Sequence, residues 1–181
     1  MESDSCLSMF YGPMFARGAE PGSDTPAGTF MNLQASHRQP IEILLVEDNP
    51  GDVELTREAF DAAKVRNRLH VVDDGADAVE FLFRRGKFED VPRPDIILLD
   101  LNLPKKDGRQ VLSEIKAEPS LSQIPILVLT TSQAEEDILH AYQLHANCYV
   151  TKPVDFNQFL RIISTIEDFW LGVVRLPKRL G

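Results

Sequence analysis

Four short apolar runs in this chain end in polar residues, and this repeated arrangement limits which folds the chain can adopt. The runs ILLV, IILL and ILVL precede the pair Glu47-Asp48, Asp100 and Thr130, and the run CYVT precedes Lys152. Each run is short enough for a buried strand, and the segments between the runs carry apolar residues at helical spacing. Strands that alternate with helices predict an α/β fold with a parallel sheet.

The alternation predicts five strand-then-helix units. Predicted strands cover residues 41–46, 69–72, 95–99, 126–129 and 149–151, and predicted helices cover residues 51–64, 76–84, 108–118, 134–144 and 155–173. Right-handed crossovers between parallel strands then give a doubly wound, flavodoxin-like sheet. We expect the strand order 2-1-3-4-5, with five helices on the two faces of the sheet.

The domain boundaries follow from changes in composition along the 181 residues. Residues 1–39 are rich in Gly, Ser, Pro and Ala and lack a periodic apolar pattern, so we expect a disordered N-terminal extension. One domain over residues 40–175 and a short tail over residues 176–181 complete the prediction. Translation from Met31 would remove most of the extension, and the sequence leaves both starts open.

Composition excludes several classes of function. A formal net charge of −9 argues against nucleic-acid binding, which needs a basic face. The chain contains neither an apolar stretch of the roughly 20 residues that span a bilayer nor a secretory signal pattern. Cys6 and Cys148 are the only cysteines, and we expect no disulfide between them. A cytoplasmic protein that does not contact membranes is therefore expected.

The polar residues after the runs suggest a site at one edge of the sheet. The carboxyl ends of parallel strands lie together, so Glu47, Asp48 and Asp100 are expected to cluster. An aspartate at a strand end is often only a loop cap, but clustered carboxylates repel each other and are tolerated where a cation holds them. Oxygen ligands of this kind suit Mg²⁺. Lys152 can pair with a phosphoryl oxygen or with Asp100, and Thr130 offers a hydroxyl.

Four segments in this order resemble the receiver domain of two-component response regulators over about residues 41–172. They are ILLVEDNPGD, PDIILLDLNLPKKDG, IPILVLTTS and YVTKP. The stretches VVDDGADAVEFLFRRGKF and SQIPILVLTTS, with the FW pair in the last helix, look like a narrower group. These are the small stand-alone regulators that partner the phytochrome histidine kinases of cyanobacteria and other bacteria.

The resemblance implies a role for each acidic residue. Asp100 would be the phosphoacceptor, taking a phosphoryl group from the histidine of a sensor kinase. Asp48 and Asp100 would bind Mg²⁺ directly and Glu47 through water, and Asn102 would add its backbone carbonyl. Mn²⁺ or Ca²⁺ can substitute for Mg²⁺ in vitro in such sites.

The resemblance also implies a switch. Thr130 and Lys152 would bind phosphoryl oxygens, and Tyr149 matches an aromatic position that turns inward when Thr130 moves. Such a chain is a signalling protein rather than an enzyme, although it takes part in its own phosphorylation and dephosphorylation. Asn102 and Ser132 flank the acyl phosphate in this family, and neither carries a carboxylate to orient water, so dephosphorylation should be moderate to slow.

Two other functions use a similar residue pattern. Phosphohydrolases of the haloacid dehalogenase type also place an aspartate nucleophile after a strand, but they need a second carboxylate two positions later, where this chain has Asn102. A degenerate receiver could serve as a scaffold, although every residue needed for phosphorylation is present here. Transfer of a radiolabelled phosphoryl group with and without Mg²⁺ would separate the three functions.

The last predicted helix carries more apolar residues than one core face requires. Seven of them follow helical spacing and are expected in the core: Phe156, Phe159, Leu160, Ile163, Ile166, Trp170 and Val173. Ile162 and Phe169 lie on a neighbouring stripe, and either a broad core face or a partner covers them. We expect a homodimer through the fourth and fifth strand-helix units, near Tyr149.

Overall fold

A computed structural model describes residues 39–62 and 66–177 of the chain and contains one parallel sheet in the order β2-β1-β3-β4-β5. The strands are β1 (Ile41–Val46), β2 (Asn67–Val72), β3 (Ile96–Leu99), β4 (Ile126–Thr130) and β5 (Cys148–Thr151). The predicted fold class and strand order are confirmed. The predicted N-terminal extension lies outside the described residues, apart from residue 39.

Five α-helices follow the strands, as predicted. They are α1 (Pro50–Asp61), α2 (Gly75–Leu82), α3 (Gly108–Ala117), α4 (Glu135–Gln143) and α5 (Phe156–Ile166). A 3₁₀ turn, Gly86–Phe88, lies between α2 and β3, and a π-helical segment, Glu167–Val173, continues α5. Residues 63 and 64 of the predicted first helix lie outside the described residues. Among the described residues, no helix is long and apolar enough to cross a membrane.

The core has two layers, one on each face of the sheet. Leu44 and Val46 pack on one face with residues of α2 and α3, and Ile43 and Leu45 pack on the other with residues of α1 and α5. Successive side chains of a strand point to opposite faces, so β1 can be apolar from Ile43 to Val46 only because helices cover both faces. All four residues of β3 are likewise buried.

Two predictions about the last helix are wrong. Phe156 and Val173 were expected in the core but are 48% and 72% exposed, whereas Ile162 is partly buried against the α1–α5 core layer. The turn is wider in the π-helical segment, so a spacing of 3.6 residues misplaces Val173. Phe156 is the first residue of α5. It lies nearly one turn before Phe159, which is the first buried residue of the helix. Phe169 is 51% exposed, as predicted.

Candidate functional site

The site is built around the ammonium of Lys152, which lies among three carboxylates. Its Nζ donates to Glu47, to Asp100 Oδ2 at 2.7 Å and to Asp52 Oδ2 at 3.0 Å. The side chains of Lys152, Glu47 and Asp100 are almost completely buried, and that of Asp52 is 26% exposed. A lysine ammonium has three N–H donors and no acceptor, so these contacts use its full capacity.

Backbone hydrogen bonds carry the sheet past the strand ends and fix the three buried residues. The N–H of Glu47 donates to Val72 at 3.0 Å, and the N–H of Asp100 donates to Val46 at 3.0 Å. The N–H of Lys152 donates to Thr130 at 2.7 Å. The side chains therefore start from regular strand backbone, and their convergence follows from the register of the sheet.

Helix starts bring further groups to this edge. Asn49 caps α1 by accepting from the N–H of Gly51 and Asp52, which places Asp52 in the first helical turn. At α3, a Cβ on Gly108 would lie 2.1 Å from the carbonyl oxygen of Asp100. Glycine is therefore required where α3 begins against the end of β3.

Burial and charge act in opposite directions on the buried pair. Burial raises the pKa of Glu47, and the nearby Lys152 ammonium only partly offsets that effect. For Lys152 itself, burial lowers the pKa, but the charge of Glu47 and the hydrogen bond to Asp100 outweigh burial and raise the pKa well above its usual value. The ammonium is consequently charged across the physiological pH range, and it can contact an anion at Asp100.

The predicted metal ligands do come together. Oxygen atoms of Glu47, Asp48 and Asp100 lie within 4.8 Å of one another, with Asp48 exposed and the other two buried. One oxygen of Asp100 also accepts from the backbone N–H of Asn102 at 3.0 Å. A donor set made only of carboxylate oxygens, open to water at Asp48, fits a hard divalent cation.

The predicted switch residues are linked through the loop after β4. Thr130 is fully buried, and its hydroxyl oxygen lies 3.4 Å from the side-chain nitrogen of Asn102. Tyr149 is partly buried, and its hydroxyl donates to the carbonyl of Ser132 at 3.0 Å. A movement of this loop would therefore act on both Thr130 and Tyr149.

Sequence reasoning missed two features of this region. Asp52 reads as an ordinary acidic residue in the first turn of a helix, which the helix dipole favours, so nothing marked it as a partner of Lys152. Arg109, at the start of α3, binds Asp137 of α4 at 2.6 Å. Asp137 in turn accepts from the Ser132 hydroxyl, so α3 is tied to the loop that holds the switch residues.

A second group of acidic residues lies after β2. Asp73, Asp74 and Asp77 also have oxygen atoms within 4.8 Å of one another. Asp74 caps α2 by accepting from the N–H of Asp77 at 2.7 Å, and exposed lysines, Lys105 and Lys87, bind Asp74 and Asp77. The carboxylates of Asp74 and Asp77 are therefore occupied by helix capping and by surface ion pairs.

The fold and the site define a response regulator receiver domain, and the chain belongs to that family. The family model for the response regulator receiver domain matches residues 43–164. Response regulator Rcp1 of Synechocystis sp. (strain ATCC 27184 / PCC 6803 / Kazusa) is 48% identical over 138 residues, which are 76% of this chain and 94% of Rcp1.

Solved structures agree with this assignment. The Mn²⁺-bound form of Rcp1 superposes with a TM-score of 0.76 at 47% identity, covering 77% of this chain and all of that one. The phosphorylated cyanobacterial phytochrome response regulator RcpA gives the same TM-score and coverage at 48% identity. The chain is therefore similar to Rcp1 and to the phytochrome response regulator RcpA, and it is itself a two-component response regulator.

Proposed function

We propose that this response regulator accepts a phosphoryl group on Asp100 from the phosphohistidine of a sensor kinase. The observation that carries the proposal is the buried contact of Asp100 with Lys152, 2.7 Å long, at the end of the central strand β3. A carboxylate oxygen of Asp100 attacks phosphorus, and the bond from phosphorus to the histidine nitrogen breaks. The electron pair of that bond stays on the imidazole, which leaves as the neutral ring once protonated.

Residues of this chain position the group that is transferred. The N–H of Asn102 holds one oxygen of Asp100, which orients the carboxylate for attack. Lys152 donates to a phosphoryl oxygen once one of its present bonds is released, and the hydroxyl of Thr130 offers a further donor. A contact between Thr130 and the phosphoryl group would displace the loop that carries Ser132, and with it the bond to Tyr149.

Glu47, Asp48, Asp100 and the carbonyl of Asn102 are the residues proposed to hold a divalent cation, with Mg²⁺ as the expected ion. A cation bound there supplies positive charge that screens the carboxylates from an anionic phosphodonor. The Mn²⁺-bound form of Rcp1 supports a divalent site, and Mn²⁺ is proposed as a substitute for Mg²⁺ in vitro. Ca²⁺ is a third candidate in vitro.

The partner is proposed to be a histidine kinase of the phytochrome type, which the similarity to RcpA supports. Slow autodephosphorylation is also proposed, because Asn102 and Ser132 supply no carboxylate that could orient water. The domain limits 40–175, the extension 1–39, the tail 176–181 and a cytoplasmic location stay predictions.

Labelling with a small phosphodonor tests the acceptor. We expect incorporation from radiolabelled acetyl phosphate that requires Mg²⁺ and is abolished in Asp100→Asn. Asp74→Asn is the matched control, because Asp74 is also a buried aspartate after a strand of the same sheet. Label of unchanged stoichiometry on Asp100→Asn would show that another residue is the acceptor.

We also propose a homodimer through the β4–α4–β5–α5 region. Leu139 and Tyr142 of α4 are 62% and 50% exposed, and Phe169 is 51% exposed, so this region presents apolar side chains to solvent. Ile162 is withdrawn from the proposed interface because it packs against the core. Contiguous patches of exposed apolar side chains mark interaction surfaces, and the proposed interface would join these side chains in one patch.

Sedimentation at tens of micromolar, with and without phosphorylation, tests the dimer. Leu139→Glu and Phe169→Glu together should shift a dimeric chain toward the monomer. Ser113→Glu and Ala117→Glu together add the same charge at exposed positions of α3, outside the proposed interface, and should leave the mass unchanged. A wild-type chain that is monomeric in both states would show that the dimer does not form.

A further inference from the structure

We propose that Asp52 is a positioning residue that restrains Lys152 before phosphorylation and opposes the entry of an anionic phosphodonor. The inference rests on the proposed function of Asp100. Asp52 lies in the first turn of α1, and its Oδ2 accepts from Lys152 at 3.0 Å. The two residues are 100 positions apart in the chain, so the contact exists only in the folded site.

A count of hydrogen-bond donors shows why a bond must be released. All three N–H groups of Lys152 point to carboxylates in this structure, which are those of Glu47, Asp52 and Asp100. A phosphoryl oxygen on Asp100 can accept from Lys152 only after one of these bonds is broken. The choice among the three bonds determines how much of the site has to rearrange.

Asp52 is the partner that is least costly to release. Its side chain is 26% exposed, compared with 3% for Glu47 and 7% for Asp100, so water can solvate the freed carboxylate. The carboxylate of Glu47 also accepts from the N–H of Asn49, and that of Asp100 accepts from the N–H of Asn102. Among the described residues, the Asp52 carboxylate is bound only to Lys152, so its release breaks no other bond.

The negative charge of the site gives Asp52 a second role. With four carboxylates ionised, those of Glu47, Asp48, Asp52 and Asp100, and one ammonium, the local charge is −4 + 1 = −3. The phosphodonor is an anion, so every carboxylate at the entrance raises the energy of its approach. Asp52 therefore restrains the lysine and also repels the donor.

The variant Asp52→Asn tests the effect of the charge of residue 52 separately from the effect of its size. The amide has nearly the same size and keeps an acceptor oxygen for Lys152, but it loses the charge. We expect the acetyl phosphate concentration at half-maximal labelling rate to fall about threefold to tenfold, because the anion meets less repulsion. The limiting rate should change less. Asp52→Glu keeps the charge and should stay close to the wild-type value.

Glu54→Gln is the matched control. It removes the same charge from an exposed position of the same helix, and residues two apart face different directions. A second measurement, calorimetric titration with Mg²⁺ alone, needs no phosphodonor. Mg²⁺ affinity should fall about twofold to fivefold in Asp52→Asn, because the site loses negative charge, and should stay unchanged in Glu54→Gln.

Three results would overturn the inference. The first is equal half-maximal concentrations in the wild type and Asp52→Asn when both label on Asp100. The second is a shift of the same size in Glu54→Gln, which would assign the effect to surface charge in general. The third is a wild type that takes no label, or label that survives Asp100→Asn, and this result overturns the proposed function together with the inference.

Discussion

Two acidic clusters occupy the same edge of the sheet, and only one of them is built as a site. The acceptor cluster comprises Glu47, Asp48 and Asp100, and the second acidic cluster comprises Asp73, Asp74 and Asp77. Both bring three carboxylates within 4.8 Å of one another, and both contain an acidic pair that directly follows a strand ending in apolar residues. Local sequence therefore does not separate them.

The lysines separate the two clusters. Lys152 follows a strand of the sheet, its side chain is 4% exposed, and it contacts two buried carboxylates. Lys105 lies in the loop after β3, and its side chain is 68% exposed. The second acidic cluster follows β2, which is the outermost strand on one side of the sheet, whereas β1 and β3 each lie between two other strands. A buried lysine can reach a carboxylate cluster only where several strand ends converge, and this convergence distinguishes a reactive site from a capped helix.

Replacing each lysine by alanine should give the largest difference between the two clusters, measured as the change in the free energy of unfolding. Lys152→Ala leaves the carboxylates of Glu47 and Asp100 buried without their counter-ion, which should lower the free energy of unfolding by about 3 kcal/mol. Mg²⁺ should restore part of this loss, since it also compensates the carboxylates. Lys105→Ala should change stability far less, because Lys105 is exposed and the backbone still holds Asp74.

Urea denaturation of both variants, with and without Mg²⁺, measures this difference. The Lys152→Ala variant should still bind Mg²⁺ but respond weakly to phosphodonors. A Mg²⁺ affinity reduced by orders of magnitude in Lys152→Ala would show that the lysine builds the metal site. Equal losses of stability in the two variants would show that burial of the lysine does not distinguish the clusters.

Removing one carboxylate from each cluster should affect Mg²⁺ binding differently. This difference should be smaller in free energy than the difference between the two lysine variants. Asp48→Ala removes a proposed direct ligand and should weaken Mg²⁺ binding about tenfold or more, judged by the 10- to 100-fold losses typical of residues around metal sites. Asp73→Ala is the counterpart in the second acidic cluster and should leave the Mg²⁺ affinity unchanged. Calorimetric titration gives both constants, and weakened binding in Asp73→Ala would place a cation at the second cluster.

The smallest effect concerns the helix cap and its dependence on pH. Burial alone would raise the pKa of Asp74, but the hydrogen bonds from Lys105 and from the N–H of Asp77 outweigh burial and lower it. The ionised carboxylate therefore stabilises the fold above the ordinary pKa of 3.8, and this contribution disappears as the pH falls through the lowered value. Asp74→Ala should cost about 1 kcal/mol at pH 7, the usual value of an N-cap.

Asp74→Asn keeps a capping oxygen without the charge, so it should cost less than Asp74→Ala at pH 7. Its difference from the wild type should narrow as the pH falls below 3.8 and through the lowered pKa of the aspartate. Thermal unfolding between pH 3 and pH 7 gives the comparison. A difference between wild type and Asp74→Asn that grows on acidification would reverse the sign expected from the lowered pKa.

Much of the acceptor cluster was predictable because strand ends are local features. Asp100, Lys152 and the pair Glu47-Asp48 each follow an apolar run, and a parallel sheet brings such ends to one edge whatever the intervening loops do. The last helix was less predictable. The change to a π-helix altered the periodicity with which Val173 was placed, whereas Ile162 lies in the α-helical part and packs against the core. The boundary of a helix type is set by tertiary packing rather than by residue spacing.

The sequence by itself determined the sheet, its strand order and the types of polar residue at the strand ends, because burial of apolar runs dominates the folding energy. Only the tertiary structure decided that Asp52 binds Lys152, that Asp100 meets a buried lysine, and that Ile162 faces the core. These contacts join residues far apart in the chain, and they depend on side-chain directions and on exposure to water. Neither quantity is encoded in the local pattern that reveals a strand or a helix.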